Sequence, residues 1–75
     1  PIASICSGAQ MLLSARVPLK GRKLSAYPAM AVDVENAGAI FVNAPVVVDG
    51  NIVSSPHYNY LAAWMKVAIN LVSKP

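Results

Sequence analysis

Ile2-Ala3-Ser4-Ile5-Cys6-Ser7-Gly8-Ala9-Gln10-Met11-Leu12-Leu13-Ser14-Ala15-Arg16 is the stretch that decides the fold class. A short apolar run with two isoleucines leads into Cys6 and three small residues. Good helix formers follow, with no breaker before Pro18. The pattern predicts a strand over 2–5, a sharp turn at Cys6 and a helix over 7–16. An uninterrupted apolar strand feeding a helix is typical of a parallel sheet covered on both faces.

Working outward, Lys23 to Tyr27 is the next predicted strand, stopped by Pro28. A short helix over 29–37 ends at Gly38, and Ala39 to Val42 is a strand. Val46 to Val48 and Asn51 to Val53 flank Asp49-Gly50, two β-branched runs about a hairpin turn. From Tyr58 to Ser73 apolar residues recur at spacings of three and four: Leu61, Trp64, Met65, Ala68, Ile69 and Val72. They predict a helix whose stripe, Trp64 and Met65 included, is core. The element order is that of an α/β domain with a mixed sheet.

Composition narrows the functional classes. The 75 residues are 56% hydrophobic and only 12% charged, against about 25% charged in ordinary globular domains. A chain this short has proportionally more surface, so much of its apolar area is expected to be covered by something else. No apolar run approaches the roughly 18 residues of a transmembrane helix, and the first residues lack a signal peptide's basic region. With a single cysteine, Cys6, no intrachain disulfide is available, and a cytoplasmic setting is expected. The net charge of +3 includes one cluster, Lys20-Gly21-Arg22-Lys23, read as a solvated turn. A nucleic-acid surface would need more basic residues with aromatic residues among them. Neither a nucleic-acid partner nor a membrane is expected.

The chemistry centres on Cys6. A strand-to-helix turn lifts one side chain above the C-terminal edge of a sheet and favours small neighbours such as Ser7 and Gly8. Helix-start N–H groups stabilise a thiolate and a developing oxyanion, with the Ser7 N–H as the natural donor. Asp33 and Glu35, two apart on a helix, point to different faces and are read as solvated. No His/Cys/carboxylate cluster has metal-ligand spacing, so neither metal nor cofactor is expected.

Five ordered blocks extend this reading. They are Ile5-Cys6-Ser7-Gly8-Ala9-Gln10, Leu19-Lys20-Gly21-Arg22-Lys23-Leu24, Ala26-Tyr27-Pro28-Ala29, Asp33-Val34-Glu35-Asn36-Ala37-Gly38, and Pro45 through Ser55. Together they resemble the PfpI family pattern from its nucleophile strand to its final helix. The resemblance implies a three-layer α/β/α sandwich, glutamine-amidotransferase-like and flavodoxin-like. Residues 1–75 would form the C-terminal half of one such domain. It also implies a cysteine-nucleophile hydrolase, peptidase- or amidase-like or glyoxalase/deglycase-like, acting on a small-molecule or peptide substrate. The alternative is a non-catalytic stress-response or redox-sensing member.

Two departures bear on that choice. Ser7 stands where the family commonly has histidine, and serine cannot act as a base near neutral pH. Pro56 and His57 follow Ser55, where many members have arginine. His57 reads either as a loop residue capping the last helix or as a base reaching Cys6. Tyr27, at a strand end that lines the pocket in related members, reads either as a substrate contact or as a half-buried strand-end tyrosine. Cys6, Ser7 and His57 are thus the candidate catalytic residues, and Gly8 and Tyr27 the candidate substrate-binding ones. Expected partners are the N-terminal half of the same domain and further copies in a homo-oligomer.

Overall fold

The computed structural model describes residues 1–73. Strand β1 (Ile2–Ile5) is followed by a 3-10 turn at Cys6–Gly8 and helix α1 (Ala9–Ser14). Strand β2 (Lys23–Leu24), a 3-10 turn at Pro28–Met30, helix α2 (Ala31–Asn36) and strand β3 (Ile40–Phe41) come next. Strands β4 (Val47–Asp49) and β5 (Ile52–Ser55) lead through a 3-10 turn at Tyr58–Tyr60 to helix α3 (Leu61–Ser73).

The predicted mixed sheet is present as two pieces. β5 lies between β1, to which it is parallel, and β4, to which it is antiparallel. β2 and β3 form a separate parallel pair. Both are shorter than predicted because β2 turns aside after Leu24. The Ser25 N–H donates to Ser54 Oγ (2.8 Å) and the Tyr27 N–H to the Cys6 carbonyl (3.1 Å), which ties this pair to β5 and β1.

Alternation along β5 sets the layers. Ile52 belongs to the core shared by Ala9 and Leu12 of α1, Leu24 of β2 and Val34 of α2. Val53 points to the opposite face, where α3 packs on β5 and β1. Of the apolar stripe predicted as core on α3, Ala68 is buried and Trp64 half-buried, whereas Leu61, Met65, Ile69 and Val72 are exposed. The sheet is on one side of this helix, and no second layer reaches the other among the described residues.

The predicted hairpin forms, with Asp49 opposite Ile52, so the two-residue loop is Gly50-Asn51, one position beyond the expected Asp-Gly. Gly50 takes φ 59°, the conformation that a primed turn needs at its first loop residue. Asp49 is displaced into the strand because its carboxylate is committed elsewhere. Its Oδ2 accepts from the Lys23 N–H (2.6 Å) and pairs with Arg22 Nε (3.5 Å), while Arg22 Nη2 donates to the Asp49 carbonyl (2.7 Å). The basic cluster is therefore more than a solvated turn, since Arg22 clamps the hairpin. Asp49→Ala is expected to cost the complete protein about 1–2 kcal/mol, through a lost charge-assisted pair and an orphaned N–H. Asp49→Asn, which keeps an oxygen acceptor, should cost less. Urea midpoints of the two variants would check this.

α1 and α2 end in the same way. In each, two N–H groups past the helix return to its last turn: Arg16 to Leu13 and Val17 to Leu12, then Gly38 to Glu35 and Ala39 to Val34. This closure places one residue in the left-handed region. At the second helix it is Gly38 (φ 89°), the predicted stop; at the first it is Arg16 (φ 56°), where a Cβ is strained. Arg16→Gly is expected to raise the stability of the complete protein by up to about 1 kcal/mol, read as a higher urea midpoint.

Candidate active site

The C-terminal ends of the parallel strands converge at one end of the sheet. Ile5 is in register with Ser55, so Cys6 and Pro56 leave β1 and β5 side by side. Tyr27 is brought beside them by its N–H bond to the Cys6 carbonyl. Asn43 follows β3, which is held to β2 by the Val42 N–H bond to the Leu24 carbonyl (3.0 Å). Buried serines hold the neighbouring loops: Ser55 Oγ donates to the Pro45 carbonyl (2.7 Å), and Ser54 Oγ receives the Ser25 N–H. A crevice outside the carboxyl ends of parallel strands is where open α/β folds place ligands.

Cys6 is the distinctive residue. It is free, half-buried and at φ 56°, in the left-handed region. A non-glycine residue is strained there by about 1–2 kcal/mol, and such strain persists only where the surrounding structure fixes it. Ser7 is exposed in the turn that starts the helix, where backbone N–H groups lack intrahelical acceptors. Gly8 has an ordinary φ of −59°. A Cβ on it would meet nothing nearer than Ser4 Cβ at 4.0 Å, so crowding within this chain does not demand glycine. No side chain among the described residues hydrogen-bonds the Cys6 thiol.

Beside this turn lies an open cleft of about 490 Å³ lined by Tyr27, Pro28, Ala29, Asn43, Pro56, His57 and Tyr60. It brings together Tyr27 and His57 from the sequence-derived set, while Cys6, Ser7 and Gly8 lie outside its lining. Asn43 and Tyr60 were not anticipated. Only the general rule that residues just past parallel strands face the crevice could have flagged Asn43. His57 caps the turn before α3: its Nδ1 accepts the Asn59 N–H (3.1 Å), and its ring stacks on Tyr58 with centroids 4.0 Å apart. This is the capping role. With Nδ1 accepting, a neutral ring carries its hydrogen on Nε2 and presents a donor there. Asp33 and Glu35 lie exposed on α2 and line no part of the cleft.

The DJ-1/PfpI family model matches residues 1–71. The chain belongs to the DJ-1/PfpI family. A deglycase of Thermococcus kodakarensis is 53% identical over 72 residues, which cover 96% of this chain and 43% of that protein. The chain thus spans less than half the length of that relative. A two-domain protein of Anabaena variabilis with DJ-1/ThiJ/PfpI-like and ferritin-like domains superposes at TM-score 0.87 with 30% identity, over 93% of this chain and 20% of that one. DJ-1 of Schizosaccharomyces pombe superposes at 0.85 with 19% identity, over 97% of this chain and 37% of that one. The fold is therefore the α/β, class I glutamine-amidotransferase-like fold of DJ-1/PfpI proteins, as the sequence blocks implied. Among the described residues, no helix is long and apolar enough to cross a membrane, and no group of three or more His, Cys, Asp and Glu could hold a metal ion.

Proposed function

We propose that the complete protein is a cysteine-nucleophile enzyme of the PfpI type, hydrolase- or deglycase-like, working in the cytoplasm with Cys6 as nucleophile. The observation that carries this reading is the strained, half-buried Cys6 at the exit of β1. The Cys6 thiolate attacks an electrophilic carbonyl carbon of the substrate; the C–S bond forms and the carbonyl electrons move to oxygen. The Ser7 N–H donates to that oxyanion. Its collapse expels the leaving group, and water then releases the acyl or carbonyl product from sulfur. A base is required to take the thiol proton and return it. Ser7 cannot serve, and His57 presents a donor, so we assign the base to the part of the domain outside residues 1–73, together with a second oxyanion donor. That part is the proposed partner, seated along the free edge of β1, and a homo-oligomer completes the assembly.

A family protein with serine after its cysteine also suits a redox role, in which Cys6 is oxidised to sulfenic or sulfinic acid without turnover. One experiment separates the readings. One equivalent of iodoacetamide, mapped to Cys6 by mass spectrometry, is expected to abolish the deglycase or peptide-hydrolase turnover of the complete protein. Undiminished turnover with Cys6 fully alkylated would overturn the proposal. An unmodified protein without turnover, whose Cys6 holds a stable mono-oxidised state after peroxide, would favour the redox role.

A further inference from the structure

Cys6 is held at φ 56°, and a non-glycine residue stays in that region only where its surroundings fix it. On its strand side it is fixed by β1, whose Ile5 is in register with Ser55 of β5. On its carbonyl side it is fixed by the Tyr27 N–H, which donates to the Cys6 carbonyl (3.1 Å). That second restraint is only as firm as Tyr27, which lies beyond the end of β2 and belongs to no strand.

Tyr27 is held through the residues before it. β2 ends at Leu24, and the next N–H, that of Ser25, donates to a side chain of β5, Ser54 Oγ, at 2.8 Å. The Ser25 hydroxyl reaches the Ala44 carbonyl only at 3.5 Å, which makes it the weaker of the two ties. Ser25, Ala26 and Ser54 are fully buried, so solvent does not replace an acceptor lost at position 54. Ser54 shares its face of β5 with Ile52, a member of the apolar core. An apolar side chain would pack there, and a buried hydroxyl is costly unless its hydrogen bond is used. One polar atom thus joins β5 to the segment that ends on the Cys6 carbonyl.

We propose that Ser54 is a positioning residue for Cys6: its hydroxyl holds Ser25, residues 25–27 carry that restraint to the Tyr27 N–H, and the bond to the Cys6 carbonyl keeps position 6 in the left-handed conformation. Ser54 acts through the backbone and lines no part of the cleft. Its consequence for chemistry rests on the reading of Cys6 as nucleophile, since that conformation sets the direction in which the sulfur leaves the end of β1.

The test, on the complete protein, reads strain and reactivity separately. Glycine is favoured over alanine at position 6 only while that position is strained. In urea unfolding with Ser54 present, Cys6→Gly should have an unfolding equilibrium constant about fivefold smaller than Cys6→Ala. In the Ser54→Ala background this advantage should shrink to within about twofold, because position 6 can relax. Ser55→Ala is the matched control. Ser55 is equally buried, but its Oγ bonds the Pro45 carbonyl, outside residues 25–27, so the advantage should persist there. With Cys6 in place, Ser54→Ala should slow second-order alkylation by iodoacetamide about tenfold. A full glycine advantage in Ser54→Ala, an equal loss of it in Ser55→Ala, or no advantage with Ser54 present would each overturn the proposal. So would alkylation of Ser54→Ala within about twofold of the wild-type rate. Failure of iodoacetamide to label wild-type Cys6 would instead overturn the nucleophile reading, and the glycine–alanine comparison would still decide whether Ser54 holds position 6.

Discussion

Replacing Cys6 by alanine or by glycine in the complete protein is expected to lower turnover by at least about 10³-fold, because each removes the group that forms the covalent bond. The two variants should part company in stability. Cys6 is held at φ 56°, a conformation in which any Cβ crowds the following carbonyl at a cost of about 1–2 kcal/mol. Alanine retains the Cβ and the strain, whereas glycine removes both. Glycine's larger backbone entropy in the unfolded chain offsets part of this gain, by roughly 0.5–1 kcal/mol. The glycine variant should therefore be more stable than the alanine variant by about 1 kcal/mol. Comparing these two cancels the loss of the sulfur, which both share. Equal urea midpoints would mean that position 6 stores no strain, and turnover within tenfold of wild type would remove Cys6 from the chemistry. Both effects together would identify a nucleophile bound in place at the expense of stability, a familiar trade at active sites.

Residues 1–75 produced alone are expected to associate or to unfold without cooperativity. Leu61, Met65, Ile69 and Val72 of α3 are 44–68% exposed, a stripe facing away from the sheet. β1 pairs with β5 along one edge, and its other edge has no neighbour among the described residues. Open edges and contiguous apolar surface recruit other chains. Among the described residues, Ser4 Oγ and Trp64 Nε1 are buried without a hydrogen-bond partner, and each such group costs about 1–3 kcal/mol. A body this small buries too little surface to absorb those losses. Size-exclusion chromatography with circular dichroism should show oligomers or a broad, non-cooperative transition. Adding the remainder of the domain in trans should restore a monodisperse complex. A sharp thermal transition at monomer mass would refute the half-domain reading.

Much of the architecture was legible in the residues because it is set by short-range sterics. Val46 to Val53 carries its hairpin in β-branched runs about Asp49-Gly50-Asn51, and Gly38 marks the end of α2 because its position requires a positive φ. The turn at Cys6 was legible in the same way, from an apolar strand meeting small residues and helix formers. The position of the loop by one residue was not. It depends on Arg22 and Lys23, which lie more than 25 residues before the Asp49 and Asn51 groups they bind.

The sequence by itself determined the strand-turn-helix around Cys6, the hairpin, the helix stops and, through its five blocks, the family. Each rests on neighbours in the chain or on ordered motifs. Only the tertiary structure decided that β1 lies parallel to β5, fifty residues away, and so set Pro56 beside Cys6. It alone gathered Tyr27, Asn43, His57 and Tyr60 around one cleft, made His57 Nδ1 the acceptor that caps the turn before α3 and left one stripe of α3 uncovered among the described residues. Local propensity cannot specify such pairings, because they are fixed by which apolar faces and backbone donors find partners once distant segments have been brought together.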